Sequence, residues 1–353
     1  NHDSIGKAVF IVNATTGALI WQAKGDTTAS QSTSVLAMTE MNFSIPSDIA
    51  VIDLDLDEVA DRLYFGDMGG QVFRVDLNTS REIAGTQTYV PFGIRMANLS
   101  DDGASTADVA NHRRFYYAPD VALVKRGIRQ FLTLSLGSGY RAHPKNSSTS
   151  DRFYALRDDK VFTTLSDPSA TGYVAPKVVK EVASNTATEI ALLDATDDVS
   201  SADSAFQTII DSSHQGWFIN LGTSGEKVLA PATTAANVLL FTTYTQSGGG
   251  GGSMCSAATG SGKLYLVNLF DGTAVRVDNT DPDSPVAYRS NNLVTAGIPP
   301  SPLVFLEDKG TDNPLLNTLV GTETFGGAIC DGTSNDDPLC IKVTKTFWEQ
   351  ITE

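Results

Sequence analysis

Hydrophobic positions along this chain alternate with polar ones in short runs, each closed by turn residues. The clearest runs are AVFIV (8–12), IAVIDL (49–54), RLYFGD (62–67), QVFRVDL (71–77) and RQFLTLSLG (129–137). RFYAL (152–156), WFINL (217–221), NVLLFTTYT (237–245), KLYLVNL (263–269) and SPLVFLE (301–307) continue the series. A period of two bounded by Gly, Asn and Asp predicts β-strands. Helical spacing is nearly absent; SAFQTIIDSS (204–213) has room for two helical turns.

Several runs share one plan: an alternating strand, then Asp or Asn, then a turn and a second strand. GKAVFIVNATTGALIW (6–21), GQVFRVDLNTSREI (70–83) and GKLYLVNLFDGTAVRV (262–277) show it best. DRFYALRDDKVFTTL (151–165) and GWFINLGTSGEKVL (216–229) are looser versions. Each predicts a β-hairpin whose Asx side chain accepts backbone N–H groups and whose Gly tolerates positive φ. The hairpin recurs at irregular intervals, as in a propeller whose blades carry insertions. A β-sandwich is the alternative, and it has no need for the hairpin to repeat. The fold expected is therefore all-β, a modified β-propeller of about seven blades, with residues 1–353 as one domain. Residues 185–215 read as a polar, acidic insertion, and SGGGGGS (247–253) as a flexible loop tip.

Composition agrees. Hydrophobic residues make up 41% of the 353 and charged residues 19%, enough apolar surface for a real core. The net charge is −16, from 41 acidic and 25 basic residues. That field repels nucleic acid and anionic headgroups and favours cations. There is no apolar run long enough to span a membrane. The chain opens within a few residues of a strand and reads as a fragment of a longer protein. The three cysteines are Cys255, Cys330 and Cys340. The short separation of the last two suits a local bridge in an oxidising compartment; three thiols are the alternative.

The densest chemistry lies in DLDLDEVAD (53–61), with Asp53, Asp55, Asp57 and Asp61 at relative positions 1, 3, 5 and 9. In a calcium loop these positions turn carboxylates inward, and position 7, here Val59, offers its carbonyl. All-oxygen ligands suit a hard cation, and zinc's usual His and Cys are missing. A solvated acidic turn is the bland reading, but strands abut both ends and four like charges within nine residues repel one another. The loop is not an EF-hand: position 6, usually Gly, is Glu58, and position 12, usually Glu, is Tyr64. Asp67 is expected to hold the turn at Gly66 to Gly70. The acidic turns at 278–285 and 331–338 lack the spacing.

Enzyme signatures are missing. His2, His112, His143 and His214 lie apart, GSGY (137–140) is not a nucleophile elbow, and GSGK (260–263) is not a phosphate loop.

The stretch DLDLDEVADRLYFGDMGGQVFRVDL (53–77) resembles the calcium loop and following hairpin of PilY-type type IV pilus biogenesis factors. GSGYRAHP (137–144), GWFINL (216–221) with GEKVL (225–229), FTTYT (241–245) and the ending KVTKTFWEQ are also similar to that family. The resemblance implies a modified propeller at the C-terminus of a secreted, cell-surface, pilus-tip or outer-membrane protein. It implies pilus components such as minor pilins, and host or abiotic surfaces, as partners. Calcium would be held by Asp53, Asp55, Asp57, the Val59 carbonyl and Asp61, and would bear on pilus extension against retraction. Glu58 departs from the family's Gly. No Arg-Gly-Asp is present. An adhesin or scaffold with purely structural calcium is one alternative. The other is a quinone-dependent dehydrogenase propeller, whose blade-docking motif VNATTGALIW (12–21) resembles. That motif occurs once here, and only Trp21, Trp217 and Trp348 are available for such a girdle.

Overall fold

The structure, a computed structural model, describes residues 3–25, 32, 34–77, 80–83, 86–89, 91–100, 109–126, 129–166, 172–182, 187–199, 214–246, 259–278, 286–307 and 315–325. Within them the chain is almost entirely β, with one 3-10 turn at Val109–Asn111. The helix expected at 204–213, the loop tip at 247–253 and all three cysteines fall outside the described residues.

Five sheets stack face to face in chain order. The first holds Ala8–Val12, Leu19–Lys24 and Val35–Ala37. The second is built on Ala50–Ile52, Arg62–Gly66, Gln71–Asp76 and Phe92–Asn98, and the third on Asp120–Arg126, Arg129–Gly137, Arg152–Asp158 and Gly216–Asn220. Lys227–Val228, Val238–Thr245, Ser261–Asn268 and Ser290–Asn292 form the fourth; Leu303–Glu307, Leu315–Val320 and Glu323–Phe325 form the fifth.

Strand alternation explains the stack. In Arg62–Gly66, Leu63 and Phe65 pack towards the first sheet with Val9, Trp21 and Ala23, while Tyr64 packs towards the third. In Arg152–Asp158, Tyr154 and Leu156 face the second sheet; Phe153 and Ala155 face the fourth. In Val238–Thr245, Leu239 and Phe241 meet the third sheet, and Val238 and Leu240 share a cluster with Val320 of the fifth. Inner sheets are thus apolar on both faces, and their strands lose strict alternation. Phe10 on the first sheet and Leu303 on the last point away from the stack and are exposed. This is the sheet-on-sheet packing of a propeller. Two further two-stranded sheets are described, Ser80–Ile83 with Thr86–Tyr89 and Arg276–Asp278 with Val286–Tyr288.

The expected turn forms in two of the three best repeats, at 13–17 and 268–272, and a similar one forms at Asp67. Asn13 Oδ1 accepts the Thr15 and Thr16 N–H groups, and Asn268 Oδ1 accepts that of Phe270. Asp67 Oδ1 accepts the Gly69 and Gln71 N–H groups, as expected for that turn. Gly17, Gly70 and Gly272 close the three turns at φ of 70°, 75° and 72°, where a Cβ would be strained.

Four expectations need correction. GQVFRVDLNTSREI is not a hairpin: Gln71–Asp76 pairs with Arg62–Gly66 and Phe92–Asn98, whereas Ser80–Ile83 pairs with Thr86–Tyr89. GWFINLGTSGEKVL is not a hairpin: Gly216–Asn220 pairs with Arg152–Asp158, whereas Lys227–Val228 pairs forward with Val238–Thr245. The segment instead carries the chain from the third sheet to the fourth. Nor is 151–165 a hairpin, because after Asp158 the chain loops back onto the second sheet, where Arg62 Nη2 donates to Val161 O and Asp76 Oδ2 accepts from Leu165 N. Residues 185–215 are not simply an insertion. Glu189–Ala191 runs parallel to Val178–Lys180 at the edge of the second sheet, and Leu193–Asp194 runs parallel to Gly216–Asn220 in the third.

Blade docking also falls elsewhere than the 12–21 motif suggests. Trp217, buried between the third and fourth sheets, donates from Nε1 to Leu269 O at 2.9 Å and lies against Gly272. Trp21 is buried with its Nε1 unpaired.

Candidate metal centre

Residues 53–61 connect two paired strands, with Ile52 opposite Arg62. Backbone bonds fix the exit: Asp61 N–H donates to Ile52 O at 2.9 Å, and Leu77 N–H donates to Asp61 O at 2.8 Å. Between these anchors the chain bends continuously, and its own carboxylates hold the bends. Asp53 Oδ1 accepts from Leu56 N at 2.7 Å and Oδ2 from Glu58 N at 2.9 Å. Asp61 Oδ2 accepts from Leu54 N at 2.7 Å, so the last acidic residue reaches back to the first turn.

The result is convergence. Asp53, Asp55 and Asp61 each place one carboxylate oxygen within 4.8 Å of the others, the one such grouping of three acidic, His or Cys ligand atoms among the described residues. Asp57 lies outside the group and accepts from Val59 N at 2.8 Å. Val59 is exposed. Desolvation, then the neighbouring Asp57 and Asp61 charges, raise the Asp55 carboxyl above its ordinary pKa. Residual repulsion of this kind is what a bound cation removes. The donor set is all oxygen, negative and partly preorganised, and it fits a hard divalent ion.

Leu56 and Glu58 adopt φ of 63° and 70°. Non-glycine residues disfavour this region by about 1–2 kcal/mol. With Glu58 at the loop position where Gly is usual, the backbone keeps the glycine conformation under a side chain that resists it.

The sequence reading missed what lies behind the loop. Arg62, the residue after Asp61, donates from Nε to Asp76 Oδ1 at 2.8 Å. Arg74 bonds Asp76 through Nε and Nη2 and reaches Asp158 at 2.9 Å from Nη1. Arg62, Arg74, Asp76 and Asp158 are all buried. The signal was present: charged residues within strands otherwise apolar on both faces.

His112, His143 and His214 join no metal-ligand grouping of three among the described residues.

No family model matches the chain, and no curated protein matches it. Among solved structures it is similar to the crystal structure of the Pseudomonas aeruginosa PilY1 C-terminal domain, at 16% sequence identity and a TM-score of 0.51. The match covers 92% of this chain and 67% of that one. The likeness is one of architecture: the chain folds as the PilY1 C-terminal domain does.

Proposed function

We propose that this chain is a calcium-binding propeller domain of a type IV pilus assembly or tip protein. It acts outside the cell, at the surface or pilus tip, with pilus components as partners. Calcium at the 53–61 loop biases pilus extension against retraction, and the domain supports attachment to surfaces. Its work is binding rather than catalysis. The observation that carries the reading is the convergence of Asp53, Asp55 and Asp61 oxygens within 4.8 Å. The similarity of fold to the PilY1 C-terminal domain supports the pilus context.

Asp53, Asp55 and Asp61 would hold the ion, with Asp57 and the Val59 carbonyl the next groups available in the loop. Bound calcium supplies positive charge that offsets the crowded carboxylates. The chain supplies the turn bonds that keep those carboxylates together. A regulatory role requires calcium to favour one of two states, since equal affinity for both shifts nothing. Calorimetric titration of the chain with calcium tests the first step: one site is expected, lost in Asp61→Ala. Identical heats for both proteins would remove the loop as the site. In the full-length protein, Asp61→Ala is expected to leave folding and secretion intact while changing pilus number or twitching. Normal pili on a calcium-free domain would leave the ion without a regulatory role.

One feature favours purely structural calcium as the second reading. Asp61 is tied through its backbone to Ile52 and Leu77 and through its side chain to Leu54. So preorganised a loop suits tight, permanent binding, whereas micromolar exchange suits a sensor.

A further inference from the structure

The motif GSGYRAHP has no part in the metal loop, yet it builds a definite surface. Residues 139–145 pack beside 112–117, where Gly139 N–H donates to Arg114 O at 3.0 Å. Arg141 Nη1 and Tyr117 Oη both donate to Leu229 O, at 2.8 and 2.6 Å. The Arg114 guanidinium lies 4.4 Å from the Tyr140 ring centre. Tyr140 in turn meets His143 edge-on at 4.6 Å and Tyr116 at 6.4 Å. These contacts fix a row of rings and guanidinium groups instead of a mobile loop.

Its charge runs against the rest of the chain. Residues 109–119 and 138–150 contain no Asp or Glu, in a protein of net charge −16. Arg141, His143 and Lys145 are exposed, and Arg114, Tyr116 and Tyr140 are half-buried. Arg114, Arg141 and Lys145 make no ion pair among the described residues. The carboxylate that interacts with Arg114 is that of Asp151, which is buried and bonded to Ser138, so the exposed side of the cluster is cationic.

We infer that this platform binds a carboxylate-bearing polysaccharide. Guanidinium groups match carboxylates in geometry and charge. The partly exposed rings of Tyr116 and Tyr140, the latter capped on one side by Arg114, add an amphipathic surface suited to sugar rings. A protein partner anchors through side chains sunk in apolar pockets, and the platform is a row of polar rings. The surrounding negative field makes capture depend on the local cations, so binding weakens as salt rises.

The test uses the full chain and fluorescent oligogalacturonate at low salt, read by polarisation. Binding is expected, with no binding of neutral dextran. Arg114→Gln is expected to weaken it at least about tenfold. Because Arg114 also packs on Tyr140, exposed Lys145→Glu serves as the second variant and should weaken binding without touching the fold. No binding of the oligomer, or equal binding by folded variants, overturns the proposal. So does equal competition by polyglutamate, which would make the platform a general polyanion site.

Discussion

Tyr64 of the second sheet donates a 2.6 Å hydrogen bond from its hydroxyl to Asp158 of the third. Burial, and then the Asp158 charge, push the Tyr64 phenol far above its ordinary pKa, so it remains a donor. Asp158 also takes both its oxygens to Arg74. Tyr64→Phe is expected to cost about 1.5–3 kcal/mol, the worth of a hydrogen bond to a charged group. Asp158→Ala leaves buried guanidinium groups short of a partner and is expected to cost about 3–5 kcal/mol. Urea unfolding of both variants checks the order.

Calcium is expected to raise the melting temperature of the wild type, by an amount equivalent to about 2.7 kcal/mol at a hundredfold excess over Kd. Asp61→Asn should abolish that gain while keeping an acceptor for Leu54 N. Equal calcium-induced shifts in thermal scans of the two proteins would assign the ion to another site.

Glu58→Gly should stabilise the metal-free chain by up to about 1 kcal/mol, because glycine accepts the positive φ without strain, less its larger entropy in the unfolded chain. Chemical denaturation in a chelator reads this. A loss of stability would show that the Glu58 side chain contributes more than its backbone conformation costs.

Glu226 is buried and accepts from Thr243 Oγ1 at 2.6 Å, Lys263 Nζ at 2.8 Å and Tyr265 Oη at 2.9 Å. Burial works to raise its pKa, but these donors and the Lys263 charge outweigh it and hold the carboxyl below its ordinary 4.5. A depressed folded-state pKa gives stability that is present above the unfolded value and is lost as pH falls through the folded one. Stability is therefore expected to drop below about pH 4.5, and Glu226→Gln should flatten that part of the profile. Denaturation midpoints measured from pH 3 to 7 give the comparison.

Gly17 and Gly272 share nearly the same φ, but only Gly272 is packed, with Trp217 atoms 2.8 Å from where a Cβ would stand. Gly17→Ala should cost about 1–2 kcal/mol from the backbone alone. Gly272→Ala should cost about 1–3 kcal/mol more from overpacking. Melting temperatures that fell equally would mean the Trp217 contact yields without cost.

Most of the strands were legible because runs such as AVFIV and NVLLFTTYT are rich in β-branched and aromatic residues and are bounded by Gly and Asn, which favour turns. The Asn13, Asp67 and Asn268 turns were legible for the same reason. Pairing between distant segments was not. Lys227–Val228 follows Gly216–Asn220 closely in sequence, and local spacing suggests a hairpin; the burial of Val228 against Phe241 and Trp217 decides otherwise. Strands of two or three residues, such as Leu193–Asp194, are too short to show a period. The convergence of Asp53, Asp55 and Asp61 was legible from spacing alone. The turn-bound Asp57 was not distinguishable from them, because its difference lies in which N–H its carboxylate meets.

The parallel strands Val178–Lys180 and Glu189–Ala191 reach the second sheet only after the chain has passed through three strands of the third. As the polypeptide emerges during synthesis, the edge at Phe92–Asn98 stays unpaired on that side while the third sheet assembles. Such late closure raises contact order and slows folding. It also leaves an open edge that a neighbouring chain can occupy. The second sheet is therefore completed only after most of the third has been made, and until then its open edge is where this protein has most need of protection from its own kind.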